Sequence, residues 1–96
     1  MRAAPTLFPN DWTFYNTLGE AHKNLGQHKE AIEAYEEALR LNPGALDLYN
    51  DIADNYFKMN QPENAIAALQ HGLELAAGRR DDQRAEKFAK RLRDKR

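Results

Sequence analysis

Three histidines are the side chains of this 96-residue chain best suited to metal binding or acid–base catalysis. His22, His28 and His71 do not have the spacing of a helical metal pair, and no two-histidine motif flanked by glutamate occurs. The chain has no cysteine, which excludes disulfides, cysteine zinc sites and thiol catalysis. It also lacks a glycine-rich phosphate loop and a nucleophile elbow. We interpret His22 as a packed residue and His28 as a loop residue, and predict a chain that is not an enzyme and needs no cofactor or metal.

Three aspartates are the second group that could do chemistry. Asp47, Asp51 and Asp54 stand at i, i+4 and i+7, so one helix would carry all three carboxylates along one ridge. Carboxylates on a single helix cannot surround a metal ion, whose oxygen ligands lie on several sides. Because like charges at this spacing repel one another, the ridge instead indicates a basic partner or a nearby counter-charge.

Charge is distributed unevenly along the chain, whose net charge is −1. Residues 79–96 contain nine basic and four acidic side chains, which leaves five basic and eleven acidic side chains before them. A basic end can attract nucleic acid, but its only aromatic residue is Phe88, so it offers little surface for base stacking. No run of about 18 apolar residues indicates a membrane span. Without a signal peptide, the default expectation is a cytoplasmic protein.

The helices that would position these groups belong to an internal sequence repeat. The stretch from Tyr15 to Ile32 recurs 34 residues later, from Tyr49 to Ile66, and the matches fall mostly on apolar and small positions. Within each copy, apolar residues recur every three or four positions, which predicts two amphipathic helices. The predicted helices run from about Trp12 to Leu25, from about Lys29 to Leu41, from Ala45 to Met59 and from Pro62 to Ala77. Asn10 or Asp11 is expected to cap the first helix, and Gly26 to end it.

This 34-residue unit resembles the tetratricopeptide repeat (TPR). The first copy agrees with seven of eight signature positions of the family: Tyr15, Leu18, Gly19, Ala31, Tyr35, Ala38 and Pro43. His22 stands where an aromatic residue is usual, and Ala77 replaces the expected proline in the second copy. The resemblance covers residues 12–77. It implies an all-α fold, a right-handed α-solenoid of antiparallel helix pairs.

The C-terminal residues are predicted to cap this solenoid. If the register of the 34-residue repeat is shifted by two residues, Ala85, Phe88, Ala89 and Leu92 fall on one narrow apolar stripe of a helix. Asp81 or Asp82 would cap this helix, which would end near Asp94. The terminal unit of a stack needs a polar outer face. The predicted organisation is therefore an N-terminal extension (1–10), a first repeat (11–44), a second repeat (45–78) and a basic capping helix (79–96), with about five helices in all.

The resemblance also implies a binding surface, because the first helices of such repeats line a concave groove that takes peptides or partner helices. The groove residues of this chain would be Asn16, Glu20, Lys23, Asp47, Asn50, Asp51, Asp54, Phe57 and Lys58. An asparagine amide can both donate to and accept from a peptide backbone, and this groove is net acidic. We therefore expect a basic or neutral protein segment as partner. The competing interpretation is that Lys87 and Lys90 of the chain itself neutralise the aspartates.

The leading functional interpretation is a protein–protein interaction module. One alternative is an accessory or self-associating terminal domain of a larger polypeptide, enzymes included. Two observations favour it. The chain has two repeats where three are usually needed for a stable stack, and only residues 1–10 could shield Trp12 from solvent. The weaker alternative is a nucleic-acid adaptor that uses the basic last helix. The sequence identifies neither the partner nor the pathway.

Overall fold

A computed structural model describes residues 11–94 of the chain. Within that range the chain forms five helices: α1 (Trp12–Asn24), α2 (His28–Leu41), α3 (Leu48–Lys58), α4 (Pro62–Gly78) and α5 (Asp82–Asp94). Each helix packs mainly against the next one along the chain. Short connections make consecutive helices antiparallel, and the pairs stack into a helical solenoid. The predicted all-α fold is confirmed.

Most helix ends follow the sequence signals. The Asp11 carboxylate caps α1 by accepting a hydrogen bond from the Thr13 backbone N–H at 3.0 Å. Gly26, with φ of +79°, ends the first helix region, and Asn60 takes the same left-handed conformation 34 residues later, with φ of 61°. Glycine and asparagine are the residues that adopt this conformation most readily. Pro62 opens α4, where its missing N–H costs nothing.

The start of α3 differs from the prediction, which placed it at Ala45. The helix begins at Leu48, and the residues before it form tight turns, with the Leu48 N–H bonded to the Ala45 carbonyl at 3.1 Å. Asp47 makes no capping hydrogen bond with its side chain. Its carboxylate is bound instead by Arg84 of α5, which is a tertiary contact that local sequence patterns do not reveal.

Two contacts between an aromatic ring and a glycine organise the core. A Cβ atom added to Gly19 would lie 2.8 Å from Cε1 of Tyr35, and one added to Gly72 would lie 2.6 Å from Cζ of Phe88. Both rings are fully buried. The first contact brings α1 onto α2 and the second brings α5 onto α4. Phe88, which the sequence places on the apolar stripe of the capping helix, thus anchors α5 to the core.

A buried asparagine links α2 to α3. Asn55 is 0% exposed; its Oδ1 lies 2.7 Å from Nδ1 of His28, and its Nδ2 donates to the Asp51 carbonyl at 2.7 Å. The interpretation of His28 as a loop residue is therefore wrong, because His28 is the first residue of α2 and bonds to the core. His22 is half-buried, and its Nδ1 lies 2.6 Å from Oε1 of Gln27.

Candidate functional site

The predicted groove residues lie along two open pockets of the surface that α1 shares with α3. We call the first the acidic pocket; the predicted residues that line it are Asn16, Glu20, Asp47 and Asp51. We call the second the basic pocket; the predicted residues that line it are Lys23, Asp54, Phe57 and Lys58. Asn50 alone among the nine predicted residues lines neither pocket. Arg84 reaches the first pocket from α5, and Arg91 reaches the second.

Arg84 forms a bidentate ion pair with Asp47. Its Nε donates to Oδ1 and its Nη2 donates to Oδ2, both at 2.9 Å. The remaining Nη1 donates to Asp81 at 2.9 Å, and Asp81 also accepts the backbone N–H of Arg84 at 3.2 Å, as a cap of α5 does. The hydrogen bond from Arg84 lowers the pKa of Asp47 below its usual value. Asp47 is thus held ionised and already paired.

Arg91 occupies the second end of the same ridge. Its Nη2 donates to Oδ1 of Asp54 at 2.7 Å, and its Nη1 donates to Oδ1 of Asn50 at 2.9 Å. The amide oxygen of Asn50 is therefore bound within the chain, while its Nδ2 is buried without a hydrogen-bond partner. The sequence predicts that the Asn50 amide both donates to and accepts from a partner's backbone. Its acceptor oxygen is already used by Arg91.

The counter-charges to the aspartates are therefore Arg84 and Arg91. The competing interpretation named Lys87 and Lys90 for this role. No ion pair within residues 11–94 includes either lysine, although the charge of Lys87 also helps to lower the pKa of Asp47. The sequence did contain the signal. Arg84 and Arg91 are seven residues apart, and so are Asp47 and Asp54. Seven residues are close to two helical turns, so the two arginines on α5 face the two aspartates on α3.

The remaining carboxylates of the acidic pocket are Asp51 and Glu20. Neither forms an ion pair among the described residues, 11–94. Asp51 is half-buried, and burial, followed by the charge of Asp54, raises its pKa, while Lys23 acts in the opposite direction. Below them, the Tyr35 hydroxyl is buried without a hydrogen-bond partner. Burial, followed by the charges of Asp51 and Glu20, raises the pKa of Tyr35. The acidic pocket is thus the part of the surface with uncompensated negative charge.

The groove is polarised once the arginines of α5 are included. The charged residues of the acidic pocket are Glu20, Asp47, Asp51 and Arg84, which gives three negative charges against one positive. Those of the basic pocket are Lys23, Asp54, Lys58 and Arg91, which gives one negative charge against three positive. The net acidic groove that the sequence predicts therefore describes one end of this surface only.

Other kinds of site have little support in the part of the chain that the structure describes. Residues 11–94 contain no group of three or more histidine or carboxylate side chains that could hold a metal ion. None of the five helices is long and apolar enough to cross a membrane. Two cations of the basic last helix, Arg84 and Arg91, are bound to aspartates, which weakens the nucleic-acid alternative. Trp12 is half-buried and packs against core residues of α2 and α3 that include Tyr35 and Leu48. The residues that could shield it, 1–10, lie outside the described residues.

Comparison with known families gives two adjacent matches. The tetratricopeptide repeat is matched at residues 12–44 and again at residues 46–78. The two matched segments together span more than half of the chain and contain α1 to α4. No curated protein matches the chain.

Proposed function

Because the chain belongs to the tetratricopeptide repeat family, whose repeats are typically non-catalytic scaffolds for protein–protein interaction, we propose that it binds a segment of a partner protein along the acidic and basic pockets. This surface runs beside α3 and collects side chains from α1, α3 and α5, and from His28 at the start of α2. An extended segment or a helix of the partner would lie along it.

The unpaired carboxylates of Glu20 and Asp51 are the observation that carries this proposal. Asp47 and Asp54 already have arginine partners, so a cation from outside gains most beside the other two. The pKa of Asp51 is raised by burial, so its charged form is disfavoured in the folded chain. A lysine or arginine of the partner would remove this penalty. The partner segment is therefore expected to place a basic side chain in the acidic pocket.

The opposite end of the groove gives the bound segment a direction. Lys23 and Lys58 carry positive charge at the basic pocket and form no ion pair within residues 11–94. Acidic side chains or backbone carbonyl groups of the partner suit this end, and Phe57 supplies apolar surface. Complementary charges of this kind fix orientation and raise the rate of association more than they raise affinity. The interaction should also weaken as ionic strength rises.

Selection from a displayed random-peptide library tests the proposal. We expect selected peptides to share a lysine or arginine, and to bind the double variant Glu20→Gln/Asp51→Asn about tenfold or more weakly. Each partly exposed ion pair contributes up to about 1 kcal/mol, and about 1.4 kcal/mol corresponds to tenfold in affinity. Glu74→Gln is the matched control, because Glu74 is exposed on α4 and lines neither pocket.

Circular dichroism of each variant establishes that the fold is intact before binding is compared. Peptides that contain no basic residue, or that bind the double variant and the control with equal affinity, would show that the acidic pocket is not the binding site.

A further inference from the structure

A third pocket lies between α2 and α4, apart from the groove. Its volume is about 410 Å³, which is within the range of roughly 300–1,000 Å³ for ligand sites in proteins. Its floor is Leu39 and Ile52, which are buried, together with Ala68. Ala67 and Ala68 leave the space open, because both side chains end at Cβ. We call this the α2–α4 pocket.

Aromatic rings form both ends of the α2–α4 pocket. At one end the rings of Tyr49 and His71 stack, with centroids 5.1 Å apart and planes inclined by 22°. At the other end stands Tyr56, seven residues after Tyr49 on α3 and therefore about 10.5 Å along the helix axis. The three rings are at least partly exposed. A side chain entering the pocket would lie between two aromatic walls.

The only charged residue that lines this pocket within residues 11–94 is Glu36. Glu33 lies one turn before it on α2, and neither glutamate forms an ion pair among the described residues. Burial, followed by repulsion from Glu33, raises the pKa of Glu36. Lys29 lines the adjoining cleft and stands two turns before Glu36, while Arg40, one turn after Glu36, is paired with Glu37. Negative charge at the rim and the negative faces of the rings both favour a cation.

We propose that the α2–α4 pocket binds an arginine side chain presented by a partner protein. The apolar stem would lie on Ile52 and Ala68, and the guanidinium would contact the aromatic walls and the Glu36 carboxylate. Arginine fits better than lysine, because its planar guanidinium stacks on aromatic faces, is weakly hydrated and pairs with a carboxylate through two hydrogen bonds. A lysine ammonium is a compact, strongly hydrated charge. This site is independent of the groove proposal.

The test is an NMR titration of the whole chain with Nα-acetylarginine amide as the probe. We expect saturable shifts of the backbone amides of Ala67, Ala68 and His71, with a Kd on the order of millimolar for a ligand of this size. The citrulline analogue has the same shape without the charge and should bind at least about threefold more weakly. The lysine analogue should also bind more weakly, for the reasons of hydration and geometry given above.

Two variants locate the site. Glu36→Gln should weaken binding of the arginine probe by up to about fivefold, as expected for the loss of one exposed or partly exposed ion pair. Ala67→Leu should fill the pocket and abolish the shifts, while circular dichroism remains that of a helical protein. The Glu20→Gln/Asp51→Asn variant, which changes the groove only, should bind the arginine probe unchanged.

The proposal is overturned if no saturable shift occurs, if the shifts lie outside α2, α3 and α4, or if Glu36→Gln binds as tightly as the natural chain. It is likewise overturned if the citrulline or lysine analogue binds as well as the arginine probe. A loss of arginine binding confined to the groove variant would assign the cation to the acidic pocket instead.

Discussion

Replacing Phe88 by alanine should destabilise the whole chain, because this ring fixes α5 to α4. The side chain is 0% exposed, and truncating a fully buried phenylalanine costs about 3–5 kcal/mol. A domain of this size is stable by roughly 5–15 kcal/mol in total. Since 1 kcal/mol corresponds to a change in Tm of about 4–8 °C for a domain of 60–100 residues, Phe88→Ala should lower Tm by at least about 12 °C.

Gly72 provides a sharper form of the same prediction. A Cβ atom there would lie 2.6 Å from Cζ of Phe88, so Gly72→Ala in the natural chain forces overpacking that costs about 1–3 kcal/mol. Alanine also favours the helix over glycine by about 1 kcal/mol. In the natural chain the net change should be neutral to destabilising. In the Phe88→Ala background the ring is gone, and the same substitution should stabilise by up to about 1 kcal/mol.

The assay is chemical denaturation of the four chains of this double-mutant cycle, followed by far-UV circular dichroism. The coupling between the two positions should be about 1–3 kcal/mol, the size expected for residues in direct contact. Gly78→Ala is the control for helix propensity, because a Cβ atom at Gly78 would meet nothing within 4 Å. It should have the same effect whether residue 88 is phenylalanine or alanine.

The reasoning is refuted by either of two results. If Phe88→Ala lowers Tm by only one or two degrees, α5 does not depend on this ring. If Gly72→Ala changes the free energy of unfolding equally in both backgrounds, the close contact between residues 72 and 88 is not present in solution.

Three further substitutions test other parts of the fold by the same denaturation assay. Asn55→Ala should lower the free energy of unfolding by about 1–3 kcal/mol, since it leaves the buried groups that Asn55 satisfies without partners; an unchanged value would contradict the link between α2 and α3. Asp51→Asn should stabilise the chain at pH 7, because the folded chain raises the pKa of Asp51 above 3.8 and so disfavours its charged form. This gain should vanish below about pH 3.8, where the carboxyl is protonated in both states; a gain that persists there would have another cause. Arg80→Gly should stabilise by up to about 1 kcal/mol, because φ of 58° at Arg80 strains any residue with a Cβ atom. The control Arg79→Gly, at φ of −93°, should instead destabilise.

The sequence predicts the helices well wherever the repeat determines them. Apolar residues recur at helical spacing in both copies, and the terminators Gly26 and Asn60 stand 34 residues apart. These signals are local, so periodicity and capping rules detect them. The start of α3 was predicted three residues too early, because the residues from Ala45 onward form tight turns before the helix begins at Leu48. Asp47 stands directly before the helix, but its carboxylate bonds to Arg84, a residue 37 positions away, and does not cap the helix.

Contacts between distant residues also explain what the sequence missed at the candidate site. The nine groove residues came from the resemblance, yet Arg84 and Arg91 were not among them. Their matching seven-residue spacing with Asp47 and Asp54 could have identified them. The bond between His28 and Asn55 has no comparable signal, because one histidine and one asparagine 27 residues apart form no pattern. The α2–α4 pocket depends on two alanines and three rings that meet only after the helices stack.

Helix α5 contributes to stability and to the groove through different residues. The Arg84–Asp47 pair has side chains that are 42% and 55% exposed, so it stabilises the fold by at most about 1 kcal/mol. Phe88 contributes about 3–5 kcal/mol, and therefore α5 would remain on α4 without its arginines. A helix that only covered an apolar edge would need no cation at residues 84 and 91. These two arginines instead neutralise part of the negative charge along α3. Since they pair with Asp47 and Asp54 and leave Asp51 unpaired, α5 determines which end of the groove attracts a positive charge.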